Sequence, residues 1–339
     1  MAKLLLLAMA VAMACQSNQP VPTASPVPSA SPVPSASPAR TVSIDAARAE
    51  LTALISDVTA ADFFHYRALD DLGRWLGPTD IIWVPEAETF AAVYFTDSPA
   101  APQRWHVQLA TSADLATWTW RVELADQASQ PSISESADGG YIVAWEQEPD
   151  PIYNVIAEYA SWRDLLAAKI KRRFDVPITT PACGEGTPSI ESVSSERVQI
   201  GFHYHARCER DLEAEGWTDW TTWHSSQRRS LDHALIDLGV EGHIGDRDTI
   251  QFRGHALMII EGQRVLDDWS TWRQYLYDPE TDAAEQLDIR THARSVSMGN
   301  PSLTLIEVNG REALLVTLYI YSEGSHADED GGLIYYRYL

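Results

Sequence analysis

Short runs of apolar residues, punctuated by Gly, Asp and Pro, fill the chain from about residue 77 to residue 339. Runs such as GGYIVAWEQ and HALMIIEGQ are rich in the β-branched and aromatic residues that favour strands. Five of these runs begin alike: GPTDIIW at Gly77, QPSISES at Gln130, TPSIESV at Thr187, GDRDTIQF at Gly245 and NPSLTLI at Asn300. The similar starts recur about every 55 residues, a period typical of four-stranded propeller blades. The pattern therefore predicts an all-β fold, a five-bladed β-propeller over residues 77–339.

The fifth unit supplies only three strands before Leu339. An incomplete blade would expose an unpaired edge, which proteins avoid. We therefore predict that ADFFHYRAL, residues 61–69, forms the missing outer strand. A preceding N-terminal helix is predicted from four apolar residues at helical spacing: Leu51, Leu54, Ile55 and Val58. Residues 43–76 are thus assigned to one helix and one closing strand.

The N-terminal stretch MAKLLLLAMAVAMAC has one Lys, a short apolar run and small residues before Cys15, which is the pattern of a secretory signal. It resembles a bacterial lipoprotein signal over residues 1–15, in which Cys15 receives the lipid. Residues 16–42 repeat Pro, Ser and Ala and predict a solvated, disordered linker. These features predict a domain held at the bacterial cell envelope, on its periplasmic or extracellular face, with the lipid as its only membrane contact.

The net charge is -23, and Lys occurs only at Lys3, Lys169 and Lys171. Such an acidic domain repels phosphate backbones, so nucleic acid is excluded as a partner, whereas neutral glycans, cations and envelope proteins are compatible with it. With Cys15 assigned to lipid, Cys183 and Cys208 remain. Two cysteines in an exported domain predict a disulfide, because that compartment is oxidising.

In a propeller each innermost strand starts on the face where the second strand ends. Residues from both places should therefore line one surface. The predicted strand starts contribute Asp80, Gln130, Glu185, Arg247, Asp248 and Asn300. The predicted ends of the second strands contribute Asp97, Glu146, Glu148, His203, His205, Glu261, Arg264, Glu323 and His326. From this surface we predict substrate contacts by Gln130, Glu146, His203, Arg247, Glu261 and Asn300. Trp217 is predicted to lie at the end of a long acidic loop over residues 206–216 and to offer a stacking platform. The similar segments Asp219–Trp223 and Asp268–Trp272 are predicted to occupy the same place in two units, so their tryptophans are expected to pack between blades: Trp220, Trp223, Trp269 and Trp272.

The stretch TSADLATW, Thr111 to Trp118, resembles the Ser-x-Asp-Leu-x-x-Trp signature that closes a blade in family 43 glycoside hydrolases. Glu185-Gly186-Thr187-Pro188 is similar to the Glu-Gly-Pro segment that carries the general acid in that family. The resemblance implies an inverting glycosidase with Glu185 as acid and Asp80 as base. The family's second-blade carboxylate falls at Gln130, which cannot ionise, so Glu146 or Asp248 would have to replace it.

Three functions remain open on the sequence alone. The first is hydrolysis of an extracellular carbohydrate by paired carboxylates, with Glu185, Asp80 and Asp248 as the catalytic candidates. The second is a non-catalytic propeller that binds glycan or a protein partner, and the third is a scaffold in the envelope. No cofactor or metal is predicted beyond a structural cation in the central channel. His203 and His205 point to the same side of one strand, but two histidines without a third ligand are typical of ordinary strand residues.

Overall fold

A computed structural model describes residues 42–98, 101–148, 151–179 and 182–339. Cys15 and residues 16–41 of the predicted linker lie outside these residues. Within the described residues no helix is long and apolar enough to cross a membrane.

The N-terminal segment contains the predicted helix and closing strand. Helix α1 (Ile44–Ile55) begins after Ser43, whose Oγ accepts a hydrogen bond from the backbone N–H of Ala46. The predicted apolar face of this segment is buried against blades 4 and 5. Strand β1 (Phe63–Tyr66) pairs antiparallel with the last strand of the chain. The prediction of a helix and a closing strand is confirmed.

Five antiparallel sheets of four strands each form the ring. Blade 1 contains β2 (Thr79–Val84), β3 (Thr89–Ser98), β4 (Ala101–Ser112) and β5 (Thr119–Asp126). Blade 2 contains β6 (Ala128–Glu135), β7 (Tyr141–Gln147), β8 (Tyr153–Tyr159) and β9 (Arg172–Asp175). Blade 3 contains β10 (Ala182–Val193), β11 (Val198–Ala206), β12 (Arg210–Thr218) and β13 (Trp223–Gln227). Blade 4 contains β14 (Ile244–Phe252), β15 (His255–Gln263), β16 (Trp272–Asp278) and β17 (Ala283–Leu287). Blade 5 contains β18 (Met298–Val308), β19 (Arg311–Ile320) and β20 (Gly331–Tyr338), and β1 completes it.

The innermost strands of blades 2, 3 and 5 each carry a β-bulge where the strand starts. The register with the second strand shifts between Ser129 and Ser132, and equivalent shifts occur in the other two blades. The residue before each proline has a positive φ, 49° at Gln130, 47° at Thr187 and 50° at Asn300. Positive φ is uncommon for residues with a Cβ, and bulges re-aim side chains next to functional sites. In these three blades the bulges therefore fix the direction of the side chain that precedes the proline.

The blade-closing sequence has a structural role in the turn between β4 and β5. Asp114 Oδ1 accepts hydrogen bonds from the backbone N–H groups of Ala116 and Thr117. Trp118 is buried, and its Nε1 donates to the carbonyl of Leu115. The turn is thus held by one carboxylate and one buried ring.

Two predictions about blade 3 are wrong. Residues 206–216 do not form a long acidic loop, because most of them belong to β12, where their carboxylates pair with histidine and arginine side chains. Trp217 therefore lies near the end of β12. The related segments Asp219–Trp223 and Asp268–Trp272 do not occupy equivalent places: the first joins β12 to β13 and the second joins β15 to β16. The two share only a turn in which an Asp carboxylate accepts backbone N–H groups.

Two further helices occur among the described residues. Helix α2 (Trp162–Leu166) follows β8, and Ser161 caps its N-terminus. Helix α3 (Arg229–Asp237) follows β13 and packs on β12 and β17 through its buried residues Leu231 and Leu235. The sequence prediction of one helix was therefore incomplete. The predicted disulfide between Cys183 and Cys208 is present, with the Cα atoms 5.4 Å apart.

Candidate functional site

Two of the predicted catalytic carboxylates join neighbouring blades at the axis. Asp80 Oδ2 accepts a hydrogen bond from the backbone N–H of Ile133 in blade 2 at 2.8 Å. Asp80 Oδ1 accepts a hydrogen bond from the hydroxyl of Ser302 in blade 5, also at 2.8 Å. Asp248 Oδ2 accepts the backbone N–H of Leu303 at 2.7 Å. Both residues line an axial cavity of about 20 Å³, which is large enough for one water molecule but not for a sugar ring. These hydrogen bonds stabilise the contacts between blades.

A third carboxylate, Asp246, faces the same axial cavity and was not among the predicted site residues. Burial raises the pKa of all three carboxyl groups. The pKa of Asp246 rises to about 6, and the pKa of Asp248 rises well above its usual range. The nearby negative charges raise the pKa of Asp246 and Asp248 further. In the fourth strand start, Arg247 stands where the other starts have proline, and Asp246 directly precedes it. The alignment of the five starts could have identified it.

Gln130 and Asn300, which precede prolines, form a hydrogen-bonded layer with Asp246 at the axial cavity. Asn300 Nδ2 donates to Gln130 Oε1 at 2.8 Å and to Asp246 Oδ2 at 2.9 Å. Tyr321 Oη donates to Asn300 Oδ1 at 3.3 Å. The amide of Asn300 therefore connects blades 2, 4 and 5, and the predicted pair Gln130 and Asn300 lies together.

Two glutamates from the ends of second strands reach this layer. Glu146 Oε2 accepts the backbone N–H of Thr187 at 3.0 Å, and Glu261 Oε2 accepts the backbone N–H of Asn300. Burial is the main cause that raises the pKa of Glu146 to about 7 and that of Glu261 to about 8. Both carboxyl groups consequently bind a proton more readily at neutral pH than an exposed glutamate does.

The close approach of these two glutamates requires glycine in the neighbouring strand. A Cβ atom on Gly186 would collide with Glu146 Oε2, and a Cβ atom on Gly299 would collide with Glu261 Oε2 and Tyr321 Oη. Glycine at both positions leaves the space that the carboxylates occupy.

Arg247 and His203 are buried beside the layer. The Arg247 guanidinium forms an ion pair with Glu213, with Nε and Nη2 each 2.8 Å from a carboxylate oxygen, and Nη1 donates to the carbonyl of Thr187 at 2.6 Å. His203 Nδ1 lies 2.6 Å from Thr187 Oγ1, and burial lowers the pKa of His203 to about 4. Both predicted ligand-binding side chains are engaged within the protein.

A larger cavity opens on the same face, with a volume of about 510 Å³. We call it the aromatic cavity, because five of its lining residues carry aromatic rings of Trp or Tyr: Trp75, Trp105, Trp269, Tyr319 and Tyr321. Trp269 is 49% exposed and Trp75 is 36% exposed, so both offer ring surface to solvent. Its polar lining includes Asp97, Gln130, Glu146, Glu148 and Asn300. This arrangement of apolar walls with a few polar groups is typical of small-molecule sites.

Glu185 lies outside both cavities. Its side chain is fully buried, and Oε1 accepts the backbone N–H of Thr179 at 3.2 Å. Trp217 also lies outside the aromatic cavity. It is near the C-terminal end of β12, where its ring stacks on His224 and the Arg197 guanidinium lies over it. The structure thus brings Gln130, Glu146 and Asn300 together around the aromatic cavity, with Glu261 hydrogen-bonded to Asn300.

Sequence reasoning missed the aromatic walls of the cavity. Trp269 was expected to pack between blades because its segment matches Asp219–Trp223. Trp269 instead lies in the connection between β15 and β16, on the open face. The sequence did contain a signal for this position, because Trp269 follows the second strand of blade 4, and the ends of second strands line the open face.

Neither a protein-family model nor a curated protein matches the sequence. Among solved structures, one described as a glycoside hydrolase is 9% identical with a TM-score of 0.58, over 87% of this chain and 95% of that chain. A thermostable family-43 glycoside hydrolase is 8% identical, with a TM-score of 0.53 over 81% and 92% of the two chains. An α-L-arabinofuranosidase from Lactobacillus brevis is 8% identical, with a TM-score of 0.51 over 79% and 92%. The predicted resemblance to five-bladed glycosidases is confirmed at the level of the fold.

Proposed function

We propose that this protein binds an extracellular carbohydrate in the aromatic cavity. The observation that carries the proposal is the combination of exposed Trp75 and Trp269 rings with the amide groups of Gln130 and Asn300 in one cavity. Flat aromatic faces suit the C–H faces of sugar rings, and amides and carboxylates suit their hydroxyl groups. The fold shared with glycoside hydrolases supports the same ligand class.

The test measures oligosaccharide binding by wild type and by Trp269→Ala, first on a glycan array and then by titration calorimetry. We expect Trp269→Ala to weaken binding about tenfold or more, because it removes one stacking surface. Trp217→Ala is the matched control, since Trp217 does not line the aromatic cavity and its removal should leave the affinity unchanged. Equal losses in the two variants, or no glycan bound by wild type, would contradict the proposal.

Hydrolysis is the second candidate, and Glu146 is the observation that favours it. This carboxyl group lines the aromatic cavity, and its pKa of about 7 lets it hold a proton at neutral pH, as a general acid must. Glu148, two residues further along the chain, lines the same cavity and supplies a second carboxylate. The pair inferred from the family resemblance, Asp80 and Glu185, does not share this cavity.

The activity test uses aryl α-L-arabinofuranosides, β-xylosides and β-galactosides with wild type, Glu146→Gln and Glu185→Gln. Turnover that is lost in Glu146→Gln and retained in Glu185→Gln would assign the acid to Glu146. The reverse result would restore the assignment implied by the family resemblance. Absence of turnover in wild type would leave carbohydrate binding as the function.

We further propose that the propeller is tethered to the bacterial envelope through a lipid on Cys15. The disulfide and the glycosidase-like fold support a location outside the cytosol. In cell fractionation, wild type should sediment with membranes, and Cys15→Ser should appear in the soluble fraction. A membrane-bound Cys15→Ser variant would disprove the lipid anchor.

A further inference from the structure

Three potential metal ligands converge beside the hairpin that joins β11 to β12. His205 and Asp211 are cross-strand partners in this hairpin, so their side chains lie next to each other. His243 reaches them from the segment before β14. One ligand atom from each of the three residues lies within 4.8 Å of the other two. Asp211 and His243 therefore complete a set of three potential ligands with His205, which the sequence did not identify.

Two contacts in this cluster require opposite hydrogen-bonding roles of His243 Nδ1. His205 Nδ1 lies 2.8 Å from Asp211 Oδ1, and His243 Nδ1 lies 2.8 Å from Asp211 Oδ2. The backbone N–H of Asp211 also donates to His243 Nδ1 at 3.1 Å. One nitrogen cannot both accept from this N–H and donate to the carboxylate. Without a hydrogen between them, Nδ1 and Oδ2 face each other with lone pairs at 2.8 Å, and a cation bound by both atoms would stabilise this arrangement, taking the Nδ1 lone pair in place of the N–H of Asp211.

We propose that His205, Asp211 and His243 bind a divalent transition-metal ion, with Zn²⁺ as the best match. Two imidazoles and one carboxylate suit Zn²⁺ and leave one coordination position open in a tetrahedral site. The side chains of His205, Asp211 and His243 are 33%, 18% and 18% exposed, so an ion can reach the cluster from solvent. Ligands of the hard cations Ca²⁺ and Mg²⁺ are predominantly oxygens, whereas two of the three ligands in this cluster are nitrogens.

Neighbouring groups support the orientation of the ligands. Asp267 Oδ1 lies 3.6 Å from His243 Nε2, and His203 Nε2 lies 3.8 Å from Asp211 Oδ1. The Asp267 carboxylate is beyond hydrogen-bonding distance and acts through its negative charge, which favours electron donation by the His243 ring. The disulfide between Cys183 and Cys208 holds the hairpin tip, where Arg207 and Cys208 have positive φ. The ligands therefore lie on a constrained scaffold, away from the axial cavity.

The experiment removes metal from the full-length protein with EDTA and then titrates Zn²⁺ and, separately, Co²⁺. We expect one Zn²⁺ per chain with a Kd below about 10 μM, and visible Co²⁺ absorption characteristic of a tetrahedral site with nitrogen ligands. His205→Gln and Asp211→Asn should each weaken Zn²⁺ binding at least about tenfold. His233→Gln is the matched control, because His233 is exposed on α3 and outside the cluster.

Folding of the variants is checked by thermal unfolding in EDTA and in Zn²⁺. Zn²⁺ should raise the Tm of wild type and His233→Gln, whereas the Tm of His205→Gln should not respond. Absence of stoichiometric Zn²⁺ binding by wild type, or an equal loss in His233→Gln, would overturn the proposal. The measurement uses the metal alone, so its outcome is independent of carbohydrate binding.

Discussion

Arg247 occupies the position that proline holds in the other four strand starts, at residues 78, 131, 188 and 301. Its guanidinium links Glu213 and Thr187 of blade 3 to blade 4. An arginine in an acidic propeller face is typical of ligand binding, so the sequence favoured that role. Its burial depends on the pairing with Glu213, a residue of β12 that lies outside the strand starts. Sequence alone could not reveal that pairing.

Removing this arginine should be costly, because it leaves a buried carboxylate without its counter-ion. We expect Arg247→Met to lower the free energy of unfolding by about 3–5 kcal/mol in urea denaturation. Arg104→Met breaks an exposed ion pair with Asp126 and should leave the free energy almost unchanged. Similar midpoints for Arg247→Met and wild type would show that the buried pair contributes little.

The buried glutamates make stability depend on pH. Glu146 and Glu261 have pKa values of about 7 and 8, against 4.5 in the unfolded chain. Their contribution is fully present below pH 4.5 and is lost as pH rises through 7 to 8, because only the unfolded state ionises freely. For the two groups together we expect a decrease on the order of 6 kcal/mol between pH 5 and pH 8, since each pKa unit is worth about 1.4 kcal/mol.

Urea unfolding at several pH values measures this decrease. Glu146→Gln should reduce the slope between pH 5 and pH 8, since the amide does not titrate. Glu135→Gln, at an exposed position of β6, should keep the slope of wild type. A slope that is unchanged in Glu146→Gln would mean that Glu146 ionises normally in the folded protein.

At the scale of elements, the strand starts could be predicted because proline and small polar residues recur at the same offset. Helix α3 could not be predicted as easily. Its helical signal is short, because Leu231, Ala234 and Leu235 lie at helical spacing within only nine residues. The hairpin of β11 and β12 was misassigned for a related reason. Its carboxylates suggested solvent, although Glu213 and Asp211 are paired within the protein.

The disulfide links the start of β10 to the tip of this hairpin, across a sequence separation of 25 residues. It constrains the unfolded chain, so its removal should destabilise the protein. We expect the double variant Cys183→Ser with Cys208→Ser to lose about 2–4 kcal/mol of unfolding free energy. Wild type in reducing buffer should show the same loss. No change under either condition would indicate that the two thiols are not joined.

Helix α1 shows how an element outside the blades contributes to their stability. Leu51 is fully buried among side chains of blades 4 and 5, whereas Leu72 is exposed. Leu51→Ala should therefore cost about 2–5 kcal/mol in urea unfolding, and Leu72→Ala should cost much less. Equal effects of the two substitutions would mean that α1 does not pack on the propeller.

At the scale of the molecule, the ring and its closure followed from the repeat, because the fifth unit lacked one strand. The site did not follow as directly. A repeat places Asp80, Gln130 and Asn300 on one face, but it does not say which side chains join blades and which line a cavity. That distinction depends on bulges and on contacts between blades, which the spacing of the strand starts does not encode.

The closing strand gives a prediction for the whole chain. Deletion of residues 43–69 removes α1 and β1, leaving the edge of β20 and an apolar surface exposed. We expect this variant to aggregate and to lose its cooperative thermal transition. Deletion of residues 16–41 removes only the predicted linker and should preserve the transition. A soluble, cooperative protein without residues 43–69 would show that closure is dispensable.

The pairing of β1 with β20 also sets an order of events during synthesis. The strand that is made first completes its sheet only when a strand from the last blade arrives, so the earlier blades form while the circle is still open. Long-range pairings of this kind are slow to form. An exported chain would therefore leave its channel as an unclosed array of blades. The final few residues would convert that array into a closed ring.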